Sequence, residues 1–448
     1  MGNYEEFVDL TYKPKATDMI VSFKVKVPRW EKPLRAYGAV ASESSVGTWA
    51  ELKNSRLKHV EKVAGKVFQI ERGGWIKVAY PHDHFEKGNM PQILASVAGN
   101  VFGMKAVDAL RLQDISFPEP IVKSFPGPKY GISGVRKIFN EKKRPLLLSV
   151  PKPKVGMTVK EHAKIGYEIW TGGLDLLKDD ENLAGQSFNP FRERVKESLK
   201  LRDKAEKETG EKKSYLINTT CGTAKELERR VKIISDHGGE YAMIDIITAG
   251  WLGVSTLRDL NKDYKVAIHA HRAMHAAMSR VPDHGMSMLA IAKISRLLGV
   301  DQLHIGTAGI GKLEGGRLWV SKLQEEITAD KVSGYSLQPD NLKGTFVPED
   351  PKLHTLAQKW HGIKPVFPVA SGGLHPLLMY DVMDAMGTDI MIQLGGGIHG
   401  HPRGSHAGAK ASRAALDAYM EGRSLHDAIK SSKELSEAHE KWGKMRPR

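Results

Sequence analysis

The 448-residue sequence contains a single cysteine, Cys221. One thiol cannot close an internal disulfide and leaves no thiolate set for a zinc cluster, so a reducing, cytoplasmic compartment is expected. No apolar run approaches the roughly 20 residues that span a bilayer. Residues 1–47 lack the basic, apolar, small-residue order of a signal peptide, so no membrane association is expected. A basic tail or block is also missing, although the chain carries 67 Lys and Arg against 52 Asp and Glu, a net +15. Residues 1–127 hold 18 basic and 14 acidic side chains, a share of the excess nearly proportional to length. Charge spread in this way is a mixed solvated surface and argues against nucleic acid as a partner. What remains, 41% hydrophobic and 27% charged residues, is the composition of a globular protein long enough for two or more domains.

A Pro-rich stretch at residues 117–128 reads as a linker between regions of different rhythm. Before it, alternating runs at 19–27, 65–80 (broken at Glu71-Arg72-Gly73-Gly74) and 107–112, with a helical pattern at 91–97, predict a small ferredoxin-like α+β domain, 1–127, with an antiparallel sheet. After it, eight short apolar runs recur at 145–150, 174–177, 214–218, 241–247, 266–270, 302–305, 365–370 and 390–394. Helical patterns at 159–170, 190–208, 224–237, 286–298 and 409–420 fall between or after them. Eight strands alternating with helices predict an α/β fold for 128–448, a (β/α)8 TIM barrel. The longest gap, between the sixth and seventh runs, predicts an excursion.

Active sites of such barrels form where strands end. Seven of the eight ends carry catalytic or ligand-binding residue types: Lys152 and Lys154; Lys178, Asp180 and Glu181; Asn218; His269, His271 and Arg272; His304 with Lys312 in its loop; Ser371 to Gly373; and Gly395 to Gly397. In Lys178-Asp179-Asp180-Glu181 two carboxylates offer hard oxygen ligands suited to Mg²⁺. The lysine among them is either a charge partner or a neutral amine able to capture CO2 as a carbamate. In His269-Ala270-His271-Arg272-Ala273-Met274-His275, His269 and His275 are each open to a core role or a functional role, and the HxH spacing also resembles a zinc pair. The glycines after the seventh and eighth strands suit phosphate cradles built from backbone N–H groups. Lys312, in a glycine-rich loop that is not a Walker A sequence, suits a lid that delivers a cation on closure.

In order along the chain, Glu43-Ser-Ser-Val-Gly-Thr-Trp49, Gly99-Asn-Val-Phe-Gly103, Lys152-Pro-Lys154, Gly172-Gly-Leu-Asp-Leu-Leu-Lys-Asp-Asp-Glu-Asn182, His269-Ala-His-Arg-Ala-Met-His275, Gly311-Lys-Leu-Glu-Gly315, Ser371-Gly-Gly373 and Gly395-Gly-Gly397 resemble the large subunit of ribulose-1,5-bisphosphate carboxylase/oxygenase (RuBisCO). The short C-terminus and the Val-Pro-Lys-Pro-Lys segment resemble the archaeal form III branch. The resemblance implies a cytoplasmic enzyme that carboxylates ribulose 1,5-bisphosphate with CO2 to two 3-phosphoglycerates, with O2 as a side substrate and a role in nucleotide (AMP) salvage. It implies Lys178 carbamylated by activator CO2 and binding Mg²⁺ with Asp180 and Glu181. Catalytic roles are implied for Lys152, His271 and Lys312, the last held by Glu43. Substrate contacts are implied for Thr48, Trp49, Asn100, Lys154, Arg272, His304, Ser371, Gly373, Gly395 and Gly396. A homodimer with shared active sites follows, with Glu43, Thr48, Trp49 and Asn100 reaching the other copy's barrel, and higher assembly of dimers left open.

Two features depart from the family pattern. Val150 stands where many members have Thr, and the loop from His304 to Lys312 is about one residue longer than in plant-type enzymes. A RuBisCO-like enolase or isomerase is the main alternative, and retention of Glu43, Asn100, Lys152, His271, Lys312 and Ser371 favours the carboxylase. A metal-dependent hydrolase would need HxH at the first strand, which here leads to Lys152.

Overall fold

The computed structural model describes residues 4–48, 50, 58–313, 315–334, 354–443 and 445–447. By packing, the chain divides into two units. The first gathers Met1–Gly127 with Met274–Leu297 and Ala329–Ile363, and the second gathers Pro128–Ala273, Leu298–Thr328 and Lys364–Arg448. Two segments from beyond residue 128 therefore belong by packing with the N-terminal sheet.

In the first unit, Asp18–Lys26, Lys66–Glu71, Trp75–Pro81 and Ala109–Ser116 form an antiparallel sheet in which the first of these strands lies between the last two. The two-residue strand Gly285–Met286 joins its edge in parallel, an addition that alternation within residues 1–127 could not foretell. The hairpin turn falls at the glycines, with Gly73 and Gly74 at φ +82° and +81°, where a Cβ would be strained. The expected linker is not free chain: Phe117, Ile121, Val122 and Phe125 are buried, and Glu119–Val122 is a helical turn. Late in the same unit, Lys331–Val332 pairs with Gln358–Lys359 in the expected excursion.

The second unit closes eight parallel strands into a barrel: Leu146–Ser149, Leu176–Lys178, Ser214–Asn218, Tyr241–Asp245, Ala267–His271, Gln302–His304, Phe367–Ser371 and Met391–Leu394. Helices such as Val159–Thr171, Phe191–Thr209 and Ala224–Asp236 alternate with them. Thr158 caps the first of these in a reciprocal box with Glu161. Leu146, Leu148, Leu176, Leu216, Tyr241, Met243, Ala267, Phe367, Val369 and Met391 fill one buried cluster, joined by Val135 and Phe139 of the helix Gly131–Phe139.

Side chains of a strand alternate, so residues two positions beyond this apolar layer face the same way. From Leu176 that step reaches Lys178, from Leu216 Asn218, from Met243 Asp245, from Ala267 His269 and His271, and from Val369 Ser371. The core thus ends in a polar layer at the C-terminal mouth. The period that fills the barrel also aims its chemistry.

Candidate active site

Lys178 is fully buried, and its Nζ donates to the Asp179 carbonyl at 2.9 Å. Burial pushes its pKa down, against the pull of Glu181, Asp245 and Asp180, which favours a neutral amine. Asp180 accepts from Lys152 Nζ at 2.9 Å and from the Asn182 side chain at 2.9 Å. Burial would raise the Asp180 carboxyl, and these bonds hold it below its usual value. Glu181 lies 3.5 Å from Lys154 Nζ and 3.7 Å from His271 Nε2. Its carboxyl is likewise held low against burial, by His271 and Lys178. Among the described residues no three or more His, Cys, Asp or Glu converge as a ready-made metal site. The two carboxylates here have a buried lysine as their third neighbour.

Asp179 anchors this segment from behind. Its carboxylate accepts from the Tyr215 hydroxyl, from the Asn218 backbone N–H at 2.9 Å and from Arg194 at 3.2 Å, with His162 Nε2 at 3.3 Å. Burial opposes its charge, yet Arg194 and His162 hold its pKa down at about 2. Asn218 also donates to the carbonyls of Glu181 and Leu183 at 3.2 and 3.1 Å. The carboxylate segment is therefore fixed before any ligand arrives.

Two histidines of one strand take different roles. His271 Nδ1 lies 2.6 Å from Asp245 Oδ1. His269 is wholly buried and joins a chain: Tyr241 hydroxyl to Gln302 Nε2 at 3.1 Å, Gln302 Oε1 to His269 Nδ1 at 2.6 Å, His269 Nε2 to His304 Nε2 at 2.8 Å, and His304 Nδ1 to Ser371 Oγ at 2.6 Å. Burial pushes both His269 and His304 well below the ordinary imidazole value. Arg272 follows His271 and is also buried.

The late loops meet Lys152 and Lys312. A Cβ on Gly395 would sit 3.3 Å from Lys152 Cε, and one on Gly373 would sit 2.7 Å from Lys312 Cγ. Gly372 and Gly373 adopt φ +116° and +69°, which leaves the Gly372 carbonyl to accept from Lys312 N–H at 3.0 Å. Gly396 opens the short turn Gly396–His399. His399, in that turn, bonds Ser149 at 2.9 Å and Ser405 at 3.0 Å, tying the first barrel strand to the last loop.

Lys152, Lys154, Lys178, Asp180, Glu181, His271, His304 and Ser371, with the loops of Lys312, Gly373 and Gly395, thus gather at one mouth. Glu43, at the end of the helix Pro33–Glu43, Thr48, and Asn100, at the start of Asn100–Gly103, lie in the first unit. Trp49 lies outside the described residues. Sequence reasoning missed Asp245, the functional group of the fourth strand end, and Gln302. Asp245 was legible as the residue two beyond Met243 on the inward face.

Residues 131–442 match the family model of the ribulose bisphosphate carboxylase large chain, catalytic domain, and residues 6–121 match that of its N-terminal domain. A relative named ribulose bisphosphate carboxylase from Methanocaldococcus jannaschii is 47% identical over 98% of this chain and 100% of its own length. One of the same name from Pyrococcus abyssi is 45% identical over 99% and 98%. Among solved structures, a dimeric archaeal Rubisco from Hyperthermus butylicus aligns with TM-score 0.89 at 43% identity, covering 99% of this chain and 100% of that one. An octameric Rubisco from Pyrococcus horikoshii aligns with TM-score 0.88 at 43% identity, covering 99% and 97%. The chain belongs to the ribulose bisphosphate carboxylase large-chain family.

Proposed function

We propose that this member of the family is a Mg²⁺-dependent ribulose-1,5-bisphosphate carboxylase, with two domains, 1–127 and 128–448. The observation that carries the reading is the buried Lys178 amine, lowered in pKa, beside the carboxylates of Asp180 and Glu181. A charged ammonium in that position would be poorly solvated, whereas a neutral amine can take up CO2 as a carbamate and become a third oxygen ligand. The donor set therefore fits a hard divalent ion, held by carbamylated Lys178, Asp180 and Glu181. Bound there, magnesium would polarise the substrate carbonyl and acidify its neighbouring hydroxyl.

The chain's own groups supply the rest. Nε2 of His271 would move a proton at the C3 oxygen, and the Asp245 carboxylate on Nδ1 supports that role. Lys152, on Asp180 in the structure, would return the final proton to C2, with Lys154 orienting it. Lys312 would pair with the new carboxylate formed from CO2, assisted by Glu43. Thr48, Trp49, Gly373, Gly395 and Gly396 would receive one phosphate, and Arg272 and Ser371, with His304 acting through its bond to Ser371, the other. The likeness to dimeric and octameric archaeal relatives supports a homodimer with shared sites, in which a second copy supplies Glu43, Thr48, Trp49 and Asn100. Nucleotide salvage is the proposed setting.

The test is activation. Enzyme preincubated with CO2 and Mg²⁺ should convert ribulose 1,5-bisphosphate faster than enzyme given them together with substrate, and Lys178→Ala should form no product. A Lys178→Ala enzyme with undiminished activity would overturn the assignment.

A further inference from the structure

The chain from Tyr241 to Ser371 has a direction that can be worked out from its ends. Gln302 Oε1 can only accept, so His269 Nδ1, 2.6 Å away, carries the proton of that ring. Both rings are buried and neutral, so His269 Nε2 is bare and His304 Nε2 must donate to it across 2.8 Å. His304 Nδ1 is then bare, and the Ser371 hydroxyl must donate to it at 2.6 Å. Ser371 therefore spends its only hydrogen inward, and toward the barrel mouth it offers lone pairs alone. A phosphate dianion also offers only lone pairs, so Ser371 as it stands cannot bond one.

The same atoms admit the opposite direction. Rotating the Gln302 amide puts Nε2 on His269 Nδ1 and Oε1 on the Tyr241 hydroxyl, which turns from acceptor to donor. The proton of His269 then sits on Nε2, that of His304 on Nδ1, and the Ser371 hydroxyl turns outward. No proton is gained or lost, and every buried group keeps a partner. Tyr241, Gln302 and His269 are fully buried, His304 nearly so, and each keeps a hydrogen-bond partner within the relay in either state.

We propose that Gln302 is a positioning residue whose amide orientation sets the direction of this relay, and that binding of a substrate phosphate selects the direction in which Ser371 donates. This rests on the reading of Ser371 as a phosphate ligand. Gln302 contacts no substrate itself. It acts through two imidazoles, from the start of the strand Gln302–His304.

A double-mutant cycle with steady-state kinetics on ribulose 1,5-bisphosphate tests it. A carboxylate at 302 accepts from both His269 and Tyr241 and locks the relay inward. Gln302→Glu should raise KM about tenfold, the worth of one hydrogen bond to a charged group, with kcat changed less than about twofold. Ser371→Ala should raise KM by a similar factor, and the double variant no further. Multiplying effects, or an unchanged KM in Gln302→Glu, would overturn the relay while leaving Ser371 as a ligand. An unchanged KM in Ser371→Ala would instead remove the ligand assignment, and the relay with it. A second measurement needs no variant at 302. In enzyme labelled with ¹⁵N-histidine, the His304 signals assigned with His304→Asn should show protonated Nε2 in free enzyme and protonated Nδ1 when saturated with inorganic phosphate. Protonated Nε2 in both states would overturn the proposal.

Discussion

The Asp245 carboxylate lies 2.6 Å from Nδ1 of His271, while the other ring nitrogen, Nε2, faces Glu181 at 3.7 Å. A carboxylate accepts, so Nδ1 holds the proton and Nε2 is left as the base in the neutral ring. Asp245→Asn keeps the shape but can donate, favouring the tautomer with the proton on the wrong nitrogen. The expected result is a fall in kcat of about 100-fold or more, by analogy with other carboxylate-oriented histidines, with KM within about threefold.

On the proposed reading, Lys178 serves the chemistry at the expense of stability. Its amine is fully buried and shifted toward neutrality by desolvation. Replacing it with the apolar, similarly long Met removes that penalty, so Lys178→Met should be more stable by about 1 kcal/mol or more in chemical denaturation. The same variant should show no carboxylation. Lower stability would mean that the lysine is a structural charge partner of the neighbouring carboxylates.

The lower rim of the barrel supplies a pH dependence independent of the active site. Glu211 binds Lys213 at 2.7 Å and Arg413 at 3.0 Å. Despite opposing burial, these cations hold its pKa down to about 2, from an ordinary 4.5. A depressed folded-state pKa means that the unfolded chain binds the proton first as pH falls. The stabilisation is full above about 4.5 and is lost progressively toward about 2. Wild type should therefore lose more denaturation midpoint than Glu211→Gln between pH 5 and pH 3, and equal losses would contradict the pairing.

The barrel was legible because parallel strands buried on both faces read as short apolar runs. Their exact ends were not, and the ends carry the chemistry. The run 174–177 is a strand at Leu176–Lys178, which makes Lys178 a strand residue aimed inward, in step with Leu176. The run 241–247 ends as a strand at Asp245, and the following Ile246 and Ile247 masked an acidic strand end among apolar neighbours. His269 was open to a ligand or a core role, and its partners Gln302 and His304 sit 33 and 35 positions away. Only parallel pairing of the fifth and sixth strands, across the helix between them, brings those residues side by side. The linker at 117–128 misled in the other direction, because its prolines signal irregular backbone but say nothing of the burial of Phe117 and Ile121.

The most direct test of the central claim is a carbon balance. Activated enzyme is given ribulose 1,5-bisphosphate and ¹³CO2, and the product is read by mass spectrometry and ¹³C NMR. The account predicts two molecules of 3-phosphoglycerate per sugar consumed, one of them carrying ¹³C in its carboxylate, and none from Lys178→Ala. Consumption of the sugar to an isomer or another product with no ¹³C incorporated would contradict it.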